Sequence, residues 1–168
     1  RQRQMCIRDS TYTALNVVAD ALKAEGIDAE VFQAGDPDME NVKAAAAKLK
    51  DSDALVVGSP VYWASPSGQI IEFMDRLASV AGKDMLYKPA AAVASARRAG
   101  TTATLDVLTK YFSYHQMPVV SSCYWNMVHG NTPEEVMKDE EGVQIMRVLG
   151  KNMAWPVSYT HLTLPTKL

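Results

Sequence analysis

Residues 54–77 constrain the fold more than any other stretch of the chain. Ala54 to Val57 is a short, unbroken apolar run, which is typical of a strand covered on both faces of a parallel sheet. Gly58 opens a turn directly after it, and from Ser67 onward the apolar residues recur every three or four positions, as on one face of a helix. The sequence therefore predicts a central strand that leads into a helix.

The connection between this strand and helix is Gly58 to Ser67, whereas strand-to-helix turns usually take about 2–6 residues. Pro60 and Pro66 remove backbone donors and stiffen it, while Tyr62 and Trp63 offer flat aromatic surfaces. Ligands of open parallel sheets bind beyond the carboxyl ends of the strands. We predict a binding loop for a flat, partly polar cofactor. The alternative is a proline-rich loop whose aromatic side chains only cover the sheet edge.

Composition limits the class of protein. The chain has 168 residues, 48% of them hydrophobic, which suffices for one domain with one sizeable core. A net charge of -2 provides no basic stripe for nucleic acid, and no apolar run is long enough to cross a bilayer, so we expect a cytoplasmic protein without nucleic-acid or membrane partners. Cys6 and Cys123 are too few for a disulfide framework or for a multi-cysteine metal or iron–sulfur site within the chain.

Both ends of the chain differ from its middle. Arg1 to Asp9 has the pattern of neither a signal peptide nor a good strand, and Pro156 is expected to stop the last helix at Trp155. Both tails resemble translated adapter or vector sequence. We therefore predict a foreign segment over residues 1–9, one domain over residues 10–155 and a foreign tail over residues 156–168.

The middle of the chain alternates helices and strands, which predicts a parallel sheet with helices on both faces. The strand that should precede the first helix has no proper sequence, and Met5 to Ile7 is a makeshift candidate for that position. The predicted elements are a helix over Thr11–Glu25, a strand over Ala29–Gln33, a turn over Gly35–Asp38, a helix over Met39–Lys50, the strand from Ala54, a helix over Gln69–Val80, a strand over Ala90–Ala94, a loop over Ala96–Thr102 leading into a helix, a last strand over Met117–Val120, a loop over Ser121–Thr132 and a final helix from Pro133 to near Trp155.

Two motifs resemble those of a known family. Gly58 to Gly68, followed by Phe73 to Leu77, resembles the second flavin loop of the flavodoxin-like NADPH-dependent FMN reductases, and Ala96 to Thr102 resembles their third. The resemblance spans about Thr11 to Trp155. It implies a flavodoxin-like three-layer α/β sandwich with a parallel sheet of order 2-1-3-4-5, its first strand missing or replaced by a makeshift segment, and FMN across the strand ends at the switch point.

The resemblance also implies the cofactor site, and it implies homodimers or tetramers. The first strand and most of the phosphate loop, which normally precede the first helix, have no counterpart, so only the end of that loop remains. The family's iron–sulfur branch is not expected, because its closely spaced cysteines have no counterpart. The implied FMN-binding residues are Thr11, Thr13, Ser59, Pro60, Val61, Tyr62, Trp63, Ala64, Ser67, Ala96, Arg97, Arg98 and Gly100.

The implied function is an FMN-dependent oxidoreductase that passes a hydride from NAD(P)H through bound flavin to a quinone, another flavin or a similar acceptor. The cofactor carries the chemistry, so we expect no catalytic side chain and no metal ligand. Two alternatives stay open: a flavodoxin-type electron carrier, and an inactive truncated product that lacks the phosphate loop. The small net charge favours the enzyme, because carriers usually present a strongly acidic docking face.

Five side chains invite further functional interpretations. Arg97 and Arg98 could hold a nucleotide phosphate or stabilise charge on reduced flavin, and the alternative is a solvated pair. His115 is expected to cap a helix. We favour loop packing or an oligomer contact over proton donation for His129. A hydrolase nucleophile at Ser59 is not expected, because the Gly-x-Ser-x-Gly turn is absent.

Overall fold

A computed structural model describes residues 2–35 and 37–160, with side chains over residues 9–35 and 37–159. The predicted turn at Asp36 and residues 161–168 of the predicted foreign tail lie outside the described residues. The elements are α1 (Gln2–Ala24), α2 (Met39–Lys50), β1 (Leu55–Tyr62), β2 (Ser65–Pro66), α3 (Gly68–Met85), β3 (Ala90–Ala96), α4 (Thr101–Tyr114), β4 (Met127–His129), α5 (Pro133–Lys138) and α6 (Glu140–Thr160).

The described strands form one sheet with the order β2-β1-β3-β4. β1, β3 and β4 run parallel, and the short β2 folds back antiparallel onto β1. β3 is buried along its whole length: Ala90, Ala92 and Ala94 pack against α2, α3 and α4, whereas Ala91 and Val93 pack against α1, α5 and α6. Because alternate side chains of β3 point to opposite faces of the sheet, the strand separates the core into two halves. The predicted three-layer α/β sandwich is confirmed.

β1 differs from its prediction in length and in surroundings. It continues through Tyr62, so residues expected to form an open loop belong to the strand. Within the apolar run only Val57 is buried, while Ala54 to Val56 are half-buried. β1 pairs with β3 from Leu55 to Pro60, and over this length no other described strand bonds to its opposite edge. Val57 packs on the α2–α4 side of the core and Val56 on the α1 side, so the expected cover on both faces is confirmed. The described strands do not establish a central position, because along its outer edge β1 pairs only with the short β2.

Two further predicted strands are absent from the described residues. Met5 to Ile7 lie within α1, where the backbone groups bond inside the helix, so the makeshift strand is wrong. Ala29 to Gln33 form no strand and belong to no ladder of the described sheet. The predicted order 2-1-3-4-5 is consequently not established by the described strands.

The last strand lies later in the chain than predicted. Within Met117 to Val120 only Val119 makes a bridge, to Ala90. The ladder resumes at Met127 to His129, inside the segment predicted as a loop. Asn126 spans the interruption. Its side-chain NH2 group donates to the Ala92 carbonyl (3.0 Å), and its backbone carbonyl accepts from the Ala94 amide (2.9 Å). A side chain here replaces backbone pairing, which a periodicity argument does not detect.

The helices follow the predictions more closely. α2 has the predicted bounds, and the Asp38 carboxylate caps it by accepting from the Asn41 amide (2.8 Å). The predicted final helix divides into α5 and α6, and α6 continues through Pro156 to Thr160. The expected stop at Trp155 is wrong, because Val157 is buried against the α1 side of the core and its packing outweighs the lost amide hydrogen bond.

Candidate functional site

The candidate site lies beyond the carboxyl ends of β1 and β3. These strands are parallel and in register, with Ser59 opposite Ala94 and Pro60 opposite Ser95, so the segments that follow them leave the same edge of the sheet. In open α/β sheets this edge is where ligands bind. The two segments are called the first turn (Val61–Ser65) and the second turn (Ala96–Gly100) below.

The first turn is a tight hairpin rather than an open loop. β2 returns along β1, pairing Val61 with Pro66 and Tyr62 with Ser65. The two residues at its tip, Trp63 and Ala64, have φ values of 53° and 58°, as a two-residue type I′ turn requires. Neither residue is glycine, so each conformation costs about 1 kcal/mol or more. The Trp63 side chain is fully exposed at the tip, where it can cover a ligand.

Buried hydroxyl groups hold the base of this hairpin. The Ser59 hydroxyl donates to the Pro60 carbonyl (2.8 Å) and accepts from the Ser67 amide (3.0 Å), and Ser59 is completely buried. The Ser67 hydroxyl in turn accepts from the Ile70 amide (3.3 Å) and caps α3. Ser59 and Ser67 therefore fix the path of the first turn from below.

The second turn places two cations at the edge of the site. Arg97, Arg98 and Ala99 are exposed between β3 and α4. Gly100 has a φ of 100° and its carbonyl accepts from Thr104 in the first turn of α4. A Cβ atom at Gly100 would lie 2.7 Å from the Cα atom of Ala64. Glycine is thus needed both for the backbone conformation and because the two turns touch.

Between the two turns is a cleft of about 350 Å³. Its size is near the lower limit for pockets that hold small organic ligands, and it combines apolar walls with guanidinium groups. The cleft is lined by Val61, Trp63, Ala64, Ala96, Arg97, Arg98 and Ala99.

A larger cavity of about 680 Å³ lies between the second halves of α3 and α4. There the Tyr111 hydroxyl donates to the Asp75 carboxylate (2.5 Å). Burial, this hydrogen bond and the negative charge of Asp75 raise the pKa of Tyr111 above its ordinary value. We place the functional site in the smaller cleft, because strained turns and cations converge there beyond the strand ends.

α1 forms the floor below the cleft. The Thr11 hydroxyl lies 2.5 Å from the hydroxyl of Ser95, and both residues are buried. A Cβ atom at Gly58 would lie 2.9 Å from the Thr11 methyl group, so β1 passes directly against the helix. The Thr13 hydroxyl donates to the Asp9 carbonyl one turn earlier (2.8 Å). Both threonine hydroxyls are thus engaged within the protein.

The structure brings most of the predicted site residues together. Six of them line the cleft, Ser59, Pro60 and Ser67 lie buried beneath the first turn, and Thr11 lies below. Their contact with a cofactor stays a prediction. Ala99 lines the cleft and Ser95 pairs with Thr11, and neither role was predicted from the sequence. Ala99 could have been found from its place inside the second motif, whereas no local signal marks the Ser95 contact.

The two histidines occupy different positions. His115 is buried at the end of α4, where its Nδ1 atom lies 2.7 Å from the Tyr111 carbonyl, which confirms the predicted cap. His129 lies opposite Ala96 in the parallel register, at the same sheet edge as the cleft. Its Nδ1 atom is 3.7 Å from the Asp139 carboxylate, which also accepts its backbone amide (2.7 Å). This geometry favours loop packing for His129, as interpreted from the sequence.

Over residues 9–35 and 37–159, whose side chains are described, no cluster of three or more histidine, cysteine, aspartate or glutamate side chains could hold a metal ion. In the same part of the chain no helix is both long enough and apolar enough to span a bilayer.

Comparison with known proteins identifies the family. The family model described as NADPH-dependent FMN reductase matches residues 8–132, which include both turns and α1 from Arg8 onward. The chain belongs to this family. Both motifs, Gly58–Gly68 and Ala96–Thr102, lie within the matched residues, and FMN is the cofactor that the family indicates.

Relatives agree with this assignment. An iron-sulfur flavoprotein from Methanocaldococcus jannaschii is 28% identical, over 84% of each chain. A WrbA-like flavodoxin from Agrobacterium tumefaciens superposes with a TM-score of 0.68 at 20% identity, covering 89% of this chain and 90% of its own. An archaeal flavodoxin gives a TM-score of 0.69 at 17% identity, covering 89% and 91%. The predicted flavodoxin-like fold is confirmed.

The described residues fit the two ends of FMN unequally. The cleft between the turns suits an aromatic ring system, since it has a built-in flat side chain at Trp63 and cations at Arg97 and Arg98. A phosphate needs free backbone amides, which a helix offers only in its first turn. α1 begins at Gln2, so the amides of Ser10 to Thr13 lie inside the helix. The ring end fits the structure, and the phosphate end does not.

Proposed function

We propose that this chain is an FMN-dependent oxidoreductase that takes a hydride from NAD(P)H and passes the electrons to a quinone, a flavin or a similar acceptor. The observation that carries the proposal is the cleft between the first and second turns, beyond adjacent parallel strands in a member of this family. We further propose a cytoplasmic homo-oligomer and a domain over residues 10–155 flanked by foreign segments.

The proposed cofactor contacts combine both turns with α1. When bound, the flavin supplies a ring that accepts a hydride and releases electrons singly or in pairs. The chain's own residues orient the ring, exclude water from one face and bind anionic groups of the nucleotide. The proposed contacts are Thr11, Thr13, Ser59, Pro60, Val61, Tyr62, Trp63, Ala64, Ser67, Ala96, Arg97, Arg98 and Gly100.

Each part of the cleft has a distinct task in this proposal. Ser59 and Ser67 hold the hairpin in place through buried hydrogen bonds. Trp63, exposed at the hairpin tip, covers an aromatic ring or a neighbouring subunit. Arg97 and Arg98 are exposed cations that bind the phosphates of NAD(P)H. No side chain is required to donate or remove a proton in this scheme.

The second candidate is a flavodoxin-type electron carrier, which accepts electrons from a protein rather than from a nucleotide. The flavodoxin neighbours share the fold. A net charge of -2 and the cations beside the cleft argue against it, because carriers usually dock through strongly acidic surfaces.

The deciding experiment adds flavin to the purified chain and records bleaching of its absorbance under anaerobic NADPH or NADH. The oxidoreductase bleaches within seconds to minutes and the carrier does not. Replacing Arg97 and Arg98 with alanine should raise the KM for the nucleotide about fivefold, the value for an exposed charge pair of about 1 kcal/mol. Arg147→Ala, an exposed change on α6, is the control. Absence of bleaching with either nucleotide would support the carrier instead.

A further inference from the structure

The backbone of α1 below the cleft has no free donors of the kind that bind phosphate. A helix leaves its first four amides without internal partners, and these form the usual anion site. Ser10 to Thr13 lie at least two turns beyond Gln2, the first residue of α1. Their amides are therefore bonded to carbonyls of the preceding turn, and they point along the helix rather than toward a ligand.

The polar side chains of this region are directed to the protein as well. The Thr11 hydroxyl pairs with Ser95 (2.5 Å), and the Thr13 hydroxyl donates to the Asp9 carbonyl (2.8 Å). The Asn16 side chain donates to the Tyr12 carbonyl (2.8 Å). Hydroxyl and amide donors near the strand ends are thus used in local bonds, and recruiting them for a phosphate would break those bonds.

Charge separates the two ends of the site further. Residues 9–16 contain one charged side chain, the exposed carboxylate of Asp9, so they offer no cation to a phosphate dianion. The second turn instead carries the exposed guanidinium groups of Arg97 and Arg98 beside the cleft. The ring end therefore carries positive charge that attracts anionic groups, whereas residues 9–16 at the α1 end carry none.

We infer that this chain, in which residues 2–9 of the proposed foreign segment extend α1 ahead of Ser10, holds a flavin by its ring and does not read the phosphate, so it binds riboflavin as tightly as FMN. This inference rests on the proposed flavin function. It widens the proposed ligand from FMN alone to isoalloxazine compounds as a class. The specificity follows from α1, because a continuous helix stands where phosphate recognition requires a helix start.

The test compares FMN and riboflavin by titrating each with the purified chain and following flavin fluorescence. We expect the two dissociation constants to agree within about threefold. A phosphate held by two charge-assisted hydrogen bonds would separate them by about 100-fold or more. Added salt and inorganic phosphate should leave FMN affinity unchanged, since no charge on the phosphate is recognised.

Trp63→Ala provides a matched probe of the ring end, and its exposure means that the fold should tolerate the change. It should weaken FMN and riboflavin by the same factor, about fivefold or more for loss of an aromatic stacking contact. A circular dichroism spectrum verifies that the variant is folded. A loss confined to one of the two flavins would contradict the inference.

The outcomes separate the inference from the function on which it rests. Equal binding of both flavins supports both. FMN binding at least 30-fold more tightly than riboflavin overturns the inference while the flavin function stands, and it would show that donors elsewhere hold the phosphate. If neither flavin binds, both the inference and the proposed function of this chain fail.

Discussion

The two ends of the proposed flavin site are built in contrasting ways. At the ring end, two turns leave adjacent parallel strands, touch through Gly100 and Ala64, and enclose a cleft. At the α1 end, a continuous helix has its amides bonded internally and its hydroxyls paired with Ser95 and Asp9. At the ring end, the parallel pairing of β1 with β3 brings the two turns together. Phosphate recognition depends separately on how the chain enters α1.

The sheet shows the same asymmetry. β1 has a six-residue parallel register with β3, but over this length no described strand bonds to its other edge. Ala54 to Val56 stay half-buried as a result, whereas every residue of β3 is buried.

The largest effect should come from Gly100→Val, which tests whether contact between the turns makes the ring end. A side chain there clashes with Ala64 and Val61 and forces a φ of 100° on a β-branched residue. Strain and overpacking cost about 1–3 kcal/mol each, so we expect the free energy of unfolding in urea to fall by about 2–4 kcal/mol. Flavin affinity should fall about 100-fold, equivalent to about 2.7 kcal/mol.

Gly68→Ala is the control for this change, since a Cβ atom at Gly68 meets no atom within 4 Å. It should leave stability and flavin affinity nearly unchanged. Wild-type riboflavin affinity in Gly100→Val would show that the two turns do not hold the ring.

Ser59→Ala should have the next largest effect, because it removes support from the first turn while leaving the α1 end intact. The Ser67 amide would lose its buried acceptor, and an unsatisfied buried donor costs about 1–3 kcal/mol of unfolding free energy. Ser79→Ala, an exposed serine on α3, is the matched control. Equal urea midpoints for both variants would mean that the Ser59 hydrogen bonds do not stabilise the turn.

Thr11→Val tests the α1 end of the proposed site. It removes the hydroxyl that pairs with Ser95, at a cost of about 1 kcal/mol in unfolding free energy, because the Ser95 hydroxyl stays buried without that partner. Thr11→Val combined with Ser95→Ala should be no less stable than the single variant, since both polar groups are then absent. The ratio of FMN to riboflavin affinity should not change. A selective loss of FMN binding would show that Thr11 reads the phosphate.

The smallest effect should be on the pH dependence of stability. It arises from Tyr111 between α3 and α4, the two helices that follow the first and second turns. The pKa of Tyr111 is raised in the folded state, so above its unfolded value of about 10 the folded protein retains a proton that the unfolded chain releases. This contribution is fully present below about pH 10 and is lost as pH rises further. Tyr111→Phe should lose stability less steeply than wild type in alkaline urea titrations, whereas the exposed Tyr114→Phe should follow wild type. Identical alkaline slopes in all three proteins would contradict the assignment.

The sequence predicted the layers and most helices because their evidence is local. The repeat of apolar residues that predicts the helix lies entirely within Met39–Lys50, and the structure has the same helix bounds. The apolar run at Ala90 likewise marks a buried strand whatever its neighbours are. The strand at Ala29–Gln33 was wrong because a strand also needs a partner, and its own residues do not show whether one is present.

The candidate site was predicted in part for the same reason. Residues of the two turns carry their family pattern in consecutive positions, so six of the lining residues were found. The hairpin at Trp63 and Ala64 was not found, because neither residue is typical of positive φ. The pairing of Thr11 with Ser95 joins positions 84 apart and leaves no mark on either neighbourhood.

By itself the sequence determined that this is an α/β chain in which two motif-bearing turns follow parallel strands, since periodicity and motif spacing are properties of consecutive residues. Tertiary structure alone decided that the turns meet through Gly100, that Asn126 replaces part of the last ladder, and that α1 is continuous below the cleft. The reason is physical: strand pairing and side-chain contacts join distant parts of the chain, and their free energy depends on what the partner offers.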